Sequence, residues 1–220
     1  MLRGMWSYHL RAAREQNLSL SLSGLIWIHT RYKEVNDMYE LFKTKAEAVG
    51  AEVHRFKTKA DALDFIVSFL KDEGVSDAPK GYALWAEGPF LDGVDRTSLQ
   101  AKAPGLKFQV TRELAADSLV GISEAGYALT DTGSLVTDQT AIVQRLVSTL
   151  PVIHVAIIGT DRILDGKPAV FAKINPSNSR YIAFITGPSR TADIERVLTI
   201  GVHGPKRLVI VFVDDLEGAN

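Results

Sequence analysis

The densest chemistry in the chain lies between Gly187 and Glu195, which read Gly-Pro-Ser-Arg-Thr-Ala-Asp-Ile-Glu, with Gly-Val-His-Gly-Pro following at 201–205. Gly187 lets a backbone approach closely, Ser189 brings a hydroxyl, Arg190 a guanidinium and Asp193 a carboxylate. Together they suit the binding of a small carboxylate or phosphate. These four are the candidate ligand contacts of the stretch. His203 brings an imidazole, a side chain suited to proton transfer, and is the candidate for that role. The alternative is that its ring locks the turn by bonding a carbonyl. Arg190 is the strongest candidate. A guanidinium at the start of a helix is unfavourable unless an anion meets it. That anion is either a ligand or the neighbouring Asp193 and Glu195, in a purely structural ion pair.

A second candidate is Asp131-Thr132-Gly133-Ser134. Thr132 and Ser134 supply hydroxyls, and Gly133 allows successive N–H groups to line an anion nest. An ordinary hairpin turn has the same composition. The loop is neither a Walker A sequence nor a G-x-G-x-x-G fingerprint. Glu124 stands just upstream at the end of an apolar run. A carboxylate there can act as general base or nucleophile, or be a solvent-exposed turn acid. Asp161 follows another buried run, where it lines a cleft or caps a helix. The five histidines show no His-x-x-x-His spacing, so no metal site is expected. His154 lies inside an apolar strand and reads as a hydrogen-bonded core histidine.

The elements that must carry these residues follow from periodicity. Tyr181–Ile185 reads as a buried strand, Gly187-Pro188 breaks it, and Ser189 or Thr191 caps a helix with Ile194, Val197 and Leu198 as its apolar stripe. Gly201 ends that helix, and Leu208–Val213 is the next buried strand, which makes a βαβ unit. Upstream, residues 32–49 have a helical apolar face, 51–56 form a strand, and Thr58 with Asp61 resembles a capping box for a helix through Leu70. Strands are expected at 81–86, 106–110 and 117–123, then strand, turn, strand over 124–136. A helix follows at 139–150, a buried strand at 152–158 and a helix at 165–174. Alternating helices and continuous apolar strands indicate α/β architecture with a largely parallel sheet flanked by helices.

Composition sets the outer bounds. The 220 residues are 46% hydrophobic and 23% charged, with a net charge of −1. They suit one domain, expected over 31–220 behind an N-terminal extension at 1–30. No basic footprint for nucleic acid is visible, and no run is long enough to span a bilayer. The N-terminus has no convincing cleavage site, so a cytoplasmic location is expected. The chain has no cysteine, so it can hold no disulfide, thiolate zinc or cysteine-ligated iron–sulfur cluster.

The motif at 187–195 with its return at 201–205, supported by Gly121-Ile122 and Gly133-Ser134, resembles the signature of the lactate-utilisation (LUD) domain family, and within it the C-type proteins. The resemblance covers about Met38 to Leu216. It implies a fold like that of ribose-phosphate isomerase, glucosamine-phosphate deaminase and CoA transferases, whose enzymes commonly bind phosphate or CoA through loops comparable to 131–134. It further implies a component of L-lactate oxidation to pyruvate that acts with iron–sulfur lactate-utilisation proteins. The clusters, and with them the electron transfer, would reside in those partners. Under that reading Arg190 holds a 2-hydroxy-acid carboxylate and His203 assists proton removal. Two alternatives stand beside it. One is a self-sufficient enzyme of isomerase or CoA-transferase type, with Glu124 as base or nucleophile and 131–134 as the phosphate or CoA loop. The other is a non-catalytic interaction module.

Overall fold

The computed structural model describes residues 22–175, 177–192 and 198–216. The chain divides into two compact units, Met1–Asp37 and Met38–Asn220. Of the first, the described part is the opening of helix α1 (Leu22–Ala48). That helix starts ten residues before the expected Tyr32.

The second unit alternates strands and helices. It opens with β1 (Glu52–Phe56), α2 (Lys59–Asp72), β2 (Tyr82–Trp85), α3 (Arg96–Lys102), β3 (Leu106–Lys107), α4 (Arg112–Ala116) and β4 (Ser118–Glu124). Next come β5 (Tyr127–Leu129), β6 (Ser134–Asp138), α5 (Ile142–Thr149), β7 (Ile153–Gly159), β8 (Ile163–Leu164) and α6 (Lys167–Phe171). The last strands are β9 (Ile182–Ile185), β10 (Arg190–Ala192), β11 (Leu198–Ile200) and β12 (Arg207–Val213). Six strands form one sheet in the order β1-β12-β7-β4-β2-β3. Every pair in it is parallel. A second sheet runs β8-β5-β6-β9. There β6 is antiparallel to both neighbours and β8 is parallel to β5.

The expected helices and strands form where capping and burial agree. Thr58 caps α2, its Oγ1 accepting from Asp61 N at 3.1 Å and donating to Asp61 Oδ2 at 2.7 Å. Thr111 caps α4 in the same way. The short helix α3 has no strong apolar period and was not expected; Asp95 nucleates it by accepting from Ser98 N. Strand β12 is buried on both faces. Val209, Val211 and Val213 pack with Ile66 and Leu70 of α2 and Leu99 of α3. Leu208, Ile210 and Phe212 pack with Phe42 and Ala46 of α1 and Leu135 of β6. Phe212 meets Tyr39 and Phe42 edge-on at 5.3 Å each. A fully buried Phe of this kind stabilises the fold by about 2–3 kcal/mol.

Two expectations about the signature region are corrected. Tyr181–Ile185 is no core strand of the parallel sheet: β9 lies at the edge of the second sheet, with Phe184 37% exposed. Among the described residues, the segment after Gly187-Pro188 opens as a strand, not a helix. β10 pairs antiparallel with β11, Arg190 opposite Ile200 and Thr191 opposite Thr199, so the unit is not βαβ. Ser189 uses its backbone to hold the return loop, donating to Pro205 O and accepting from Gly201 N, each at 2.9 Å. The β-branched Thr191 and Ile200 favour the extended form. Asp193, a candidate ligand contact, lies outside the described residues, as do Ile194, Glu195 and Val197.

Candidate functional site

Gly133, Gly187 and Arg190 converge on one place, the C-terminal end of α1, with Thr132 and Ser134 flanking Gly133, while Ser189 holds the 201–205 return loop. Gly133 has φ +66°, and a Cβ on it would lie 2.4 Å from Ala46 N. Gly187 has φ +72°, and its Cβ would lie 2.5 Å from Val49 O. Both glycines are therefore required by the close approach of the helix end. Arg190 Nη2 donates to the carbonyl of Val49. That carbonyl is among the orphans a helix leaves at its C-terminus, where the dipole favours a cation. The conflict raised by placing Arg190 at a helix start thus disappears: it serves the opposite end of a different helix.

A line of hydroxyls joins the two motifs. Ser134 Oγ donates to Thr132 Oγ1 at 2.8 Å, and Thr132 Oγ1 donates to Asp131 Oδ1 at 3.0 Å. Ser134 Oγ is also 2.6 Å from Thr186 Oγ1. With the Ser134 proton committed to Thr132, Thr186 is the donor of that bond. Thr186 was not singled out from sequence; its partner is 52 residues away. His203 is exposed on the 201–205 loop that Ser189 anchors.

Glu124 lies elsewhere. The chain leaves β2 for α3 on one face of the main sheet and leaves β4 for the second sheet on the other. The carboxyl ends of these adjacent strands therefore bound a topological switch crevice, where open α/β sheets bind ligands. Glu124 ends β4 in that crevice. It packs against Gly88, and its Oε1 accepts from Phe90 N at 2.7 Å. Burial raises its pKa above the usual carboxylate range; the Phe90 N–H, Lys59 and Arg162 oppose that rise, and Asp92 adds to it. Lys59 Nζ donates to Asp92 O at 2.7 Å, and its backbone N donates to Asp215 Oδ1 at 2.7 Å. Beside it opens a cleft of about 530 Å³, lined by Lys59, Asp92, Asp95, Ser98, Lys102 and Asp215 among others. Sequence reading missed this cleft, because Lys59 and Ser98 are ordinary first-turn helix residues and the capping box around Lys59 is explained by the helix start alone.

Glu124 and His203 do not share a site. Glu124 pairs with Ile157, and Arg207, at the start of β12, pairs with Ile153. Four residues of strand put about 13 Å between those levels. His203 lies beyond the lower one. His154 is the core histidine expected. Its Nε2 is 2.8 Å from Ser123 Oγ, and burial pushes its pKa down to about 4. Among the described residues no three His, Asp or Glu side chains are grouped to hold a metal, and no helix is long and apolar enough to cross a membrane.

These features define an α/β protein with a six-stranded parallel sheet, a glycine-rich signature wrapped round a helix end, and a carboxylate at the switch crevice. The LUD domain model matches residues 39–213, and the chain belongs to the LUD domain family. Lactate utilization protein C 1 of Bacillus mycoides is 33% identical over 179 residues, covering 77% of this chain and 76% of that one. Lactate utilization protein C of Halalkalibacterium halodurans is 36% identical over 109 residues, 47% of each chain. The chain spans about half the length of several of the curated relatives it matches. A crystal structure of a DUF162 family protein from Deinococcus radiodurans shares the fold, with TM-score 0.56 and 16% identity over 81% of this chain and 98% of that one.

Proposed function

We propose that this chain serves in lactate utilisation, as a subunit acting beside iron–sulfur partner proteins that carry the electrons from L-lactate to an acceptor. The observation that carries the reading is the 179-residue similarity to a protein named for lactate utilisation. The absence of cysteine supports the division of labour, since a cysteine-ligated cluster needs ligands this chain does not have. The signature region contributes an assembly surface or a pocket for a small anion. Val49 O takes one donor of Arg190, and a guanidinium has five, so the residue retains capacity for a carboxylate. The test is growth of the host lacking the gene, on L-lactate and on glucose, with wild-type and variant chains restored. Loss of growth on lactate alone is expected. Normal growth on lactate without the gene overturns the proposal, as does lactate oxidation by the isolated chain.

A second reading is favoured by one feature, the half-buried Glu124 with its raised pKa in the switch crevice. Such a group suits general acid–base catalysis on a ligand held at the C-terminal edge of the sheet. Calorimetry with sugar phosphates and CoA esters tests it. Binding that survives in Glu124→Gln while turnover is lost supports it, and absence of any heat at millimolar ligand removes it.

A further inference from the structure

The edge of the second sheet is an open strand with a defined chemistry. Gln139 N donates to Tyr181 O at 2.8 Å, which fixes the alternation of the antiparallel ladder between β6 and β9. Tyr181, Ala183 and Ile185 turn their backbone groups toward β6. Ile182 and Phe184 therefore turn their N–H and C=O groups to the other side. Among the described residues, no strand pairs with β9 there. An open row of this kind is a template for another strand unless it is covered, bulged or broken by proline. β9, Ile-Ala-Phe-Ile, is regular and has no proline.

The surroundings say what would fit. Tyr181 is 51% exposed, and Phe171 is 53% exposed with its ring 6.4 Å from that of Phe184. Lys167 Nζ stands 5.4 Å from the centre of the Phe184 ring, and the Arg145 guanidinium 4.9 Å from that of Tyr181. From Gly166 to Ala192 the chain carries Lys167, Lys173, Arg180 and Arg190 and no acidic residue, in a protein of net charge −1. Asp138, opposite Ile182, Asp165, just before Gly166, and Asp131, whose carboxylate lies beside Gly166, are the nearby exceptions; Asp138 is engaged by Ser179 Oγ at 2.8 Å and Thr140 N at 2.8 Å, and Asp131 by Thr132 Oγ1 at 3.0 Å. A second copy paired on β9 would bring Lys167 and Arg180 toward their own counterparts. An acidic strand would meet them favourably.

We propose that β9 is a strand-addition site for an extended, acidic segment of a partner protein, with alternate apolar residues on the face of Phe171 and Phe184. Backbone bonds to Ile182 and Phe184 give affinity, and Lys167, Arg145 and Arg180 select the sign of the charge. The inference stands apart from the lactate reading, because it is tested in vitro on the purified full chain.

The probe is a fluorescein-labelled peptide, EVEVEVE, compared with KVKVKVK by fluorescence anisotropy. The acidic peptide is expected to bind saturably below about 1 mM and at least about tenfold more tightly than the basic one, with affinity falling as salt rises. Ile182→Pro removes an outward N–H without touching the ladder to β6, at the first residue of an edge strand where proline is tolerated. It is expected to weaken binding about tenfold. The double variant Lys167→Glu, Arg180→Glu keeps the backbone intact and is expected to reverse the preference between the peptides, which separates the proposal from a folding defect. Three results would overturn it: no saturable binding by the acidic peptide, equal binding of both peptides, or concentration-dependent dimerisation of the chain that Ile182→Pro abolishes.

Discussion

Replacing Gly133 by alanine separates the two roles its turn could have. If the turn exists to pack against α1, the new methyl group meets backbone rather than a ligand. Its Cβ would lie 2.4 Å from Ala46 N and 2.6 Å from Lys45 C, neither of which can rotate aside. A left-handed φ of +66° on alanine costs about 1 kcal/mol, and overpacking against rigid backbone about 2 kcal/mol more. Gly93 provides the internal control. Its φ is +72°, yet a Cβ there meets nothing within 4 Å, so Gly93→Ala carries only the conformational cost of about 1 kcal/mol. With a urea dependence of about 2 kcal/mol per molar, the midpoints should fall by about 1.5 M for Gly133→Ala and about 0.5 M for Gly93→Ala. Urea titration followed by far-UV circular dichroism measures both. Equal shifts would refute the packing argument. An unchanged midpoint for Gly133→Ala with lost growth on lactate would show that a ligand occupies the space instead.

Three further outcomes follow from the same geometry. Arg190→Ala removes the cation on the Val49 carbonyl and should cost about 1 kcal/mol in thermal or urea unfolding, with Arg190→Lys recovering part of it; no change would mean that the helix end is capped by water as well as by Arg190. His154 titrates at about 4 in the fold against 6.5 in the unfolded chain, so the neutral ring is favoured by folding. That contribution is present above pH 6.5 and is lost as pH falls toward 4, by about 3 kcal/mol in all; urea midpoints of His154→Gln should lack that part of the pH slope. Glu124 has the opposite linkage: its folded pKa is raised by burial, so ionising it on going from pH 4 to pH 7 works against the fold. Glu124→Gln should therefore gain thermal stability relative to wild type as pH rises over that range, and a gain that shrinks instead would contradict the burial argument.

Much of this architecture is legible from residue types alone, for identifiable reasons. The run 152–158, apolar but for His154, and the run 208–213 are apolar on both sides of the pleat, which fits a strand covered on both faces, and β7 and β12 are interior strands of the sheet. Thr58 and Asp61 cap a helix through a local interaction, three residues apart, and local interactions survive translation from sequence to structure. The signature region behaves differently. A short segment with apolar residues at 194, 197, 198 and 200 fits a helical stripe, while the ladder from Arg190–Ala192 to Leu198–Ile200 is a pairing that periodicity over so few residues does not distinguish. The partner of Arg190 is a carbonyl 141 residues away, and Gly133 faces a helix end 87 residues earlier in the chain. No pattern in the motif itself points to either. The motif residues were thus found by their chemistry, but the object they surround, the end of α1, was not.

The sheet order also governs when the fold can be completed. Strand β1 is paired with β12 and with no other strand among the described residues, and it leads the main sheet in sequence while β12 ends it. A nascent chain therefore carries β1 and the apolar inner face of α1 through the synthesis of about 150 further residues before a partner strand exists. At about 5–20 residues per second this is roughly 8–30 s, long compared with the collapse of the segments already made. During that interval the β2, β4 and β7 ladders can assemble, while the first strand remains an unsatisfied edge. Chaperone demand and sensitivity to truncation should accordingly concentrate at the last strand, and a ribosome stalled before Arg207 would hold a four-stranded sheet, β7-β4-β2-β3, lacking the strand that joins it to β1.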